Sequence, residues 1–398
     1  MSQPHASTST RREEWPRHAA GAVRDLRGGM RLLVDALRKG VDQVEAVHAR
    51  IASVEPPVRG ARIGRPGSGV GAVVYRGLRG TTDLAGGALD LALASMQAFL
   101  LDPQRQRDPP EPAPAREAAV ALLNAVAGDH LHRTGNPLEI RTEVRSNVLA
   151  QLPRVLVMAH DLGRNDLQWR QDGQDHGQAL AETLVASPLY AVYNSGRAVG
   201  ATGRELAAEL EVLLAHWRVP LEGVVLLGHG MGGLVLRSAL HQAQHSGLAW
   251  PAHVRRLVFL GTPHHGTDPG ADVFSGLGFG PAAALSPLLR TAGRRSPGMR
   301  DFLTGRVLED DPRTGLASAH EALAGVPPGL PTYAIAGAIG DRRGDGLVPV
   351  DSALGRHPAA GLDLLLPEDH RCVIEGVDHF GLLRSDEVLR RMRQWLSA

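Results

Sequence analysis

Cysteine is almost missing from this chain of 398 residues: Cys372 is the only one, which excludes an internal disulfide framework. An excess of charge of one sign is missing as well. With 43 Lys and Arg against 42 Asp and Glu the formal net charge is +1, so no field steers nucleic acid or acidic partners to the surface. Lysine itself is nearly absent, Lys39 standing alone among arginines. Beside abundant Ala, Gly and Pro, that bias reads as a coding composition rather than as phosphate binding. No apolar run reaches the roughly 18 residues of a membrane span. The first 20 residues are polar and charged, without the apolar core of a secretory signal. The expectation is a soluble cytoplasmic protein with no transmembrane segment and no nucleic-acid partner.

What is present divides the chain. Residues 1–19 read as a disordered N-terminus and 20–101 as a helical region. Val23, Met30, Leu37, Val44 and Ile51 recur every seven residues, with Leu26, Leu33 and Val47 on the same stripe. That stripe predicts an amphipathic helix over 20–54, packed on its neighbours, pairing two copies into a homo-oligomer or lying on a membrane surface, the last disfavoured by the acidic residues among its arginines. A second, glycine-rich helical stretch is expected over 70–100. Five prolines make 102–115 a linker. From 116 to 398 apolar runs alternate with helical patterns, which predicts an α/β fold: a mostly parallel sheet with helices on both faces. Strands are expected at 138–144, 154–159, 189–193, 223–227, 254–260, 333–339 and 362–366. Helices are expected at 116–130, near 175–187, 203–217 and 233–245, and at 386–396. Residues 267–331, rich in Gly and Pro, form a long excursion of the kind that serves as a lid. Phe274, Leu277, Phe279, Leu285, Leu288 and Leu289 would line an acyl pocket there or form the lid's own small core.

One hexapeptide carries more chemistry than the rest. Gly228-His229-Gly230-Met231-Gly232-Gly233 follows the apolar run Val224 to Leu227 and opens an apolar helical pattern. Strand, tight turn and helix are the context of the G-x-S-x-G elbow, whose apex serine is a nucleophile. Here the apex is Gly230, which has no side chain. Gly228, Gly230 and Gly233 also satisfy G-x-G-x-x-G, but a dinucleotide site needs an acidic residue about 20 positions on. No Asp or Glu occurs between Leu234 and Thr267. No cofactor is expected.

An acid and a histidine follow in the order that such hydrolases use. Asp345 lies in Gly-Asp345-Gly-Leu-Val-Pro after the apolar run Tyr333 to Ile339, and His379 lies in Val-Asp-His379-Phe after Cys372 to Ile374. Each belongs to a loop at a strand's C-terminal end, where open α/β sheets carry their sites. The histidine would shuttle the nucleophile's proton while the carboxylate fixes its tautomer. Asp341 and Asp351 are substitutes for the acid, His370 for the base. His264-His265 raises a metal reading, yet no carboxylate or cysteine stands near with ligand spacing, and no metal is expected.

From about Leu152 to its C-terminus the chain resembles bacterial lipase/esterase-type α/β hydrolases related to the GPI-inositol-deacylase-like group. The matching pieces are the hexapeptide, Leu260-Gly-Thr-Pro-His-His-Gly266, Asp345-Gly-Leu-Val-Pro349 and Asn165-Asp-Leu-Gln-Trp169. The resemblance implies an α/β-hydrolase fold and carboxylic-ester hydrolysis through an acyl-enzyme on a small-molecule ester or lipid. It implies an oxyanion hole from the amides of Leu162 and Met231. Two positions depart from it. Gly230 stands where the family has serine, and His160-Asp161-Leu162 replaces His-Gly-Leu. A carboxylate at 161 would repel the developing oxyanion, or would turn away and cap a helix. With glycine at the apex the chain is expected to be inactive or very weak as an esterase. The alternative is a non-catalytic descendant that binds a lipid, an ester or a protein.

Overall fold

The computed structural model describes residues 24–32, 35, 114–146, 151–171, 174–267, 296–309, 326–340, 344–359 and 361–397. The chain divides into two units, residues 1–112 with 134–138, and residues 113–133 with 139–398. In the first, residues 24–32 are helical. Asn136 Nδ2 donates to the Gly28 carbonyl at 3.1 Å, and Arg24 Nε to that of Pro137 at 2.8 Å. The remainder of the helix expected over 20–54, the stretch 70–100 and residues 102–113 lie outside the described residues.

Among the described residues, the second unit holds a seven-stranded sheet, the helices that cover it and a separate two-stranded hairpin of Arg170–Gln171 and Gln174–Asp175. Helix α1 (Pro114–Arg133) precedes β1 (Glu143–Ser146) and β2 (Arg154–Ala159). Then come α2 (His176–Leu184), β3 (Ala186–Val192), α3 (Val199–Ala215), β4 (Gly223–His229), α4 (Met231–His245) and β5 (Val254–Leu260). Helix α5 (Pro297–Thr304) interrupts the sheet sequence before β6 (Thr332–Ala338), β7 (Arg371–Glu375) and α6 (Asp386–Ser397). Helix α1 reaches Pro114, inside the segment expected to be linker, and Arg133, past the expected end at His130.

The strand order is β1-β3-β2-β4-β5-β6-β7. Within this sheet, among the described residues, only the β1–β3 pair is antiparallel. Strands covered on both faces read as unbroken apolar runs, because both sides of the pleat need packing. Strand β2 does so: Val155, Val157 and Ala159 join one core, Leu156 and Met158 the other. The first core takes Leu206 and Leu210 of α3 and Leu234 and Val235 of α4. The second takes Leu180 and Leu184 of α2 and Val388, Met392 and Trp395 of α6. Each such side chain contributes about 1.5–3 kcal/mol on burial.

One expected strand is absent. Residues 362–366 are irregular although their run of leucines is apolar. The Asp363 carboxylate accepts the amides of Leu365 at 2.6 Å and His357 at 3.1 Å and pairs with Arg371 at 3.0 Å. Asp side chains that capture nearby amides divert backbone groups from a ladder. Leu365 takes positive φ and points outward, 69% exposed. The edge strand comes later, at Arg371–Glu375.

Of the insertion expected over 267–331, residues 268–295 and 310–325, including the proposed acyl-pocket side chains, lie outside the described residues. The described part supplies α5, capped by the Ser296 side chain and ended by Gly305 in the left-handed region. Its Asp301 carboxylate accepts the Val199 amide at 2.8 Å. That provides α3 with the N-terminal acceptor its own Ala198 lacks.

The chain runs from β2 outward to β3 on one side and returns to β4 on the other. Ligands bind at such a reversal, outside the strands' C-terminal ends. The β2–β4 register ends at Ala159 opposite Gly228. Two residues further on, Asp161 leaves β2 opposite Gly230 leaving β4.

Candidate functional site

Gly230 has φ +52° and ψ −121° between β4 and α4. That backbone is costly for any residue with a Cβ, and glycine takes it freely. Its amide donates to the Leu260 carbonyl at 2.9 Å, so the turn is tied to the end of β5. The sharp turn is therefore kept although the apex has no side chain.

The space above it is filled. A Cβ built on Gly230 would overlap Oδ1 and Cγ of Asp161. Asp161 Oδ1 accepts the Met231 amide at 2.7 Å, and Oδ2 lies 3.1 Å from His379 Nε2. His379 Nδ1 lies 2.7 Å from Asp345 Oδ2. Asp345 Oδ1 accepts the amides of Leu347 at 3.0 Å and Val348 at 2.8 Å. The His379 amide donates to the Asp345 carbonyl at 3.1 Å. An imidazole thus sits between two carboxylates, and all three residues are buried. Asp161 does not turn away, and through the Met231 amide it also supplies the acceptor at the N-terminus of α4 that Gly230 lacks. It occupies the place of the elbow side chain.

The loop that delivers Asp161 is pinned from several sides. Its amide donates to Gln168 Oε1 at 3.1 Å, and the Gly163 amide to Ser195 Oγ at 2.9 Å. His160 Nε2 accepts the Tyr193 amide at 3.2 Å, which leaves Nδ1 to donate to the Asp161 carbonyl at 2.8 Å. The two rings stack at 4.0 Å, and the Tyr193 hydroxyl donates to the His160 carbonyl. Burial keeps His160 neutral, its pKa lowered to about 4. Leu162 follows, fully buried.

Charge sets the protonation of the array. Burial alone would raise the Asp161 carboxyl, but the hydrogen bond and charge of His379, with the Met231 amide, hold it down to about 2. Burial alone would lower His379, but the Asp345 carboxylate and then Asp161 push it up to about 10. The resting site is an imidazolium between two anions. His379 contributes stability fully present below its unfolded value near 6.5 and lost as pH rises through about 10. Asp161 contributes stability fully present above its unfolded value of 3.8 and lost as pH falls to about 2. Unfolding by urea is therefore expected to give a stability that declines above pH about 6.5, with a shallower slope in His379→Gln. A native chain with the same high-pH slope as that variant would remove the buried imidazolium.

His229 is a member of the site that sequence reasoning passed over. Its Nε2 donates to the His379 carbonyl at 2.9 Å, and the two rings lie 4.6 Å apart. Burial, then the charge of His379, lowers its pKa to about 4. Its Nδ1 is buried without a hydrogen-bond partner. Asp161, His229 and His379 offer three ligand atoms within 4.8 Å of one another, and the Asp345 carboxylate holds the far ring nitrogen of His379. The sequence signal was its place beside the apex, read only as part of the turn.

The remaining sequence candidates lie elsewhere. Asp351 is exposed and 3.9 Å from Arg356. His370 Nδ1 donates to the Thr332 carbonyl at 3.0 Å, its ring 4.2 Å from Tyr333. Asp341 lies outside the described residues. The adjacent histidines diverge: His264 packs edge-on against Phe259 and accepts from Arg237 at 3.1 Å, whereas His265 faces His357.

Residues 204–276 match the family model of the PGAP1-like alpha/beta domain. No curated protein matches the sequence. Among solved structures, the mature form of the Bacillus licheniformis lipase BlEst2 shares 19% identity over 64% of this chain and 97% of its own, with a TM-score of 0.43. A variant of YbtT, the type II thioesterase of the yersiniabactin pathway, shares 17% over 64% and 96%, with a TM-score of 0.41. An esterase from Thermogutta terrifontis shares 15% over 66% and 94%, with a TM-score of 0.37. The sheet order, with its single antiparallel edge, and the sharp turn after β4 are those of the α/β-hydrolase fold. No described helix is long and apolar enough to cross a membrane.

Proposed function

We propose that this chain is a hydrolase of small molecules on a lipase/esterase-like scaffold, and that it has no serine-esterase activity. The observation that carries this reading is the Asp161 carboxylate standing where an elbow serine would project. His379 is the proton carrier, and Asp345 fixes its tautomer and supports its charge. The Met231 amide is the oxyanion donor, and the Leu162 amide is its proposed companion. Substitution of the apex alone does not rebuild a serine site, because Asp161 blocks both the new side chain and the donor. Restoring both family residues does.

A second reading rests on the same array. Its charges are buried and satisfied by one another, as a binding protein without catalysis requires. One comparison separates the two: the native chain, Gly230→Ser, and Asp161→Gly/Gly230→Ser, each tested on p-nitrophenyl butyrate and with a fluorophosphonate label. Loss of a triad nucleophile typically costs about 10⁶ in kcat. The double variant is therefore expected to label at position 230 and to exceed the other two by at least about 10²-fold. Labelling of the native chain, or equal rates in all three, overturns the proposal. A folded double variant that stays silent gives the binding reading precedence.

A further inference from the structure

We infer that Asp161 is itself a covalent nucleophile, attacking an sp3 carbon of a substrate whose leaving group departs as a stable anion, an alkyl halide being the model. The inference rests on the hydrolase reading above and names its substrate class. Three features carry it. The two carboxylate oxygens are differentiated: Oδ1 is held by the Met231 amide, and Oδ2 faces His379 Nε2. The pinned loop leaves the carboxylate one position, directly over the glycine apex. The carboxylate is removed from water, so no hydration shell has to be stripped from it before attack.

The electrophile follows from leaving-group chemistry. At an ester carbonyl, a carboxylate adds and is expelled again, because it is a far better leaving group than an alkoxide. At an sp3 carbon the displaced halide does not return. Oδ2 attacks carbon, the carbon–halogen bond breaks, and halide departs with the bonding pair.

The alkyl ester on Asp161 is neutral, so His379 loses one of the two anions that held its proton and releases that proton to solvent. Neutral His379 then takes a proton from water, and the hydroxide adds to Cγ. The charge that develops on Oδ1 is already at the Met231 amide, the oxyanion arrangement such steps need. The Cγ–Oδ2 bond breaks, and the alcohol leaves with the proton from His379. The carboxylic acid then returns its own proton to His379, restoring the resting pair. The sum is alkyl halide and water to alcohol, halide and a proton.

The experiment uses the full chain with n-hexyl bromide and with hexene oxide, enzyme in excess, in water enriched in the heavy oxygen isotope. Peptide mass spectrometry reads Asp161, and gas chromatography reads the alcohol. Expected are hexanol carrying ordinary oxygen after the first turnover, heavy oxygen in the Asp161 peptide, and at least about a 10³-fold loss in Asp161→Asn. Heavy oxygen entering hexanol directly overturns covalent catalysis by making Asp161 a base. Opening of hexene oxide without turnover of the bromide overturns the leaving-group assignment. Activity lost to a chelator and restored by zinc overturns it in favour of a metal centre on Asp161, His229 and His379. No turnover of either probe, while Asp161→Gly/Gly230→Ser gains ester hydrolysis, overturns this inference and leaves the hydrolase reading standing.

Discussion

His379→Ala is expected to cost about 3–5 kcal/mol of folding stability, the usual penalty for removing one partner of a buried ionic array. The reason is charge rather than volume. Asp161 and Asp345 both lie in the interior, and both face the imidazole. Without it, two carboxylates confront each other with only backbone amides to hold them. One must take up a proton to remain buried. The deficit should therefore shrink as pH falls from 7 toward 4, since the variant then binds that proton at less cost, whereas the native chain gains only the part of the His379 contribution still missing at pH 7, on the order of 1 kcal/mol. Asp161→Asn is expected to be milder, about 1–3 kcal/mol, because it leaves His379 paired with Asp345 and gives the Met231 amide a carbonyl acceptor. Urea unfolding of the three proteins at both pH values tests the ordering. A His379→Ala variant as stable as the native chain would mean that no buried imidazolium exists.

Much of this site was legible before the fold was known. The order of Gly230, Asp345 and His379 along the chain and their place after strands led to the expectation that they share one site, and the structure puts Asp345 and His379 at 2.7 Å. The two departures, glycine at 230 and aspartate at 161, were equally visible, but they read as independent losses. What joins them is the parallel register of β2 and β4, in which residues 69 apart come face to face, and nothing local in the sequence encodes that pairing. His229 escaped notice for a related reason: its partner, the His379 carbonyl, is 150 residues away. The strand misread at 362–366 failed in the opposite way. There the apolar pattern was genuine, and one side chain, that of Asp363, captured the amides a ladder would have used.

Coupling between positions 161 and 230 is the second large effect, and it can be measured without any substrate. Gly230→Ala in the native background faces two penalties: a Cβ at φ +52° and ψ −121°, and overlap with the Asp161 carboxylate. The first is worth about 1–3 kcal/mol. The second forces Asp161 off both the Met231 amide and His379, and displacing a buried charge from its partners adds about 3–5 kcal/mol. In an Asp161→Gly background only the backbone penalty remains, because the overlapping atoms are gone. A double-mutant cycle of Gly230→Ala and Asp161→Gly is therefore expected to show an interaction energy well above the 0.3–0.5 kcal/mol within which independent sites usually add, with the two changes together costing less than their sum. Additive effects would mean that the carboxylate does not occupy the apex. The sign matters for the reading of Gly230. If the cycle couples as stated, glycine there is the residue that makes room for a charged side chain from the neighbouring strand. The missing serine is then one half of an exchange between two strand ends.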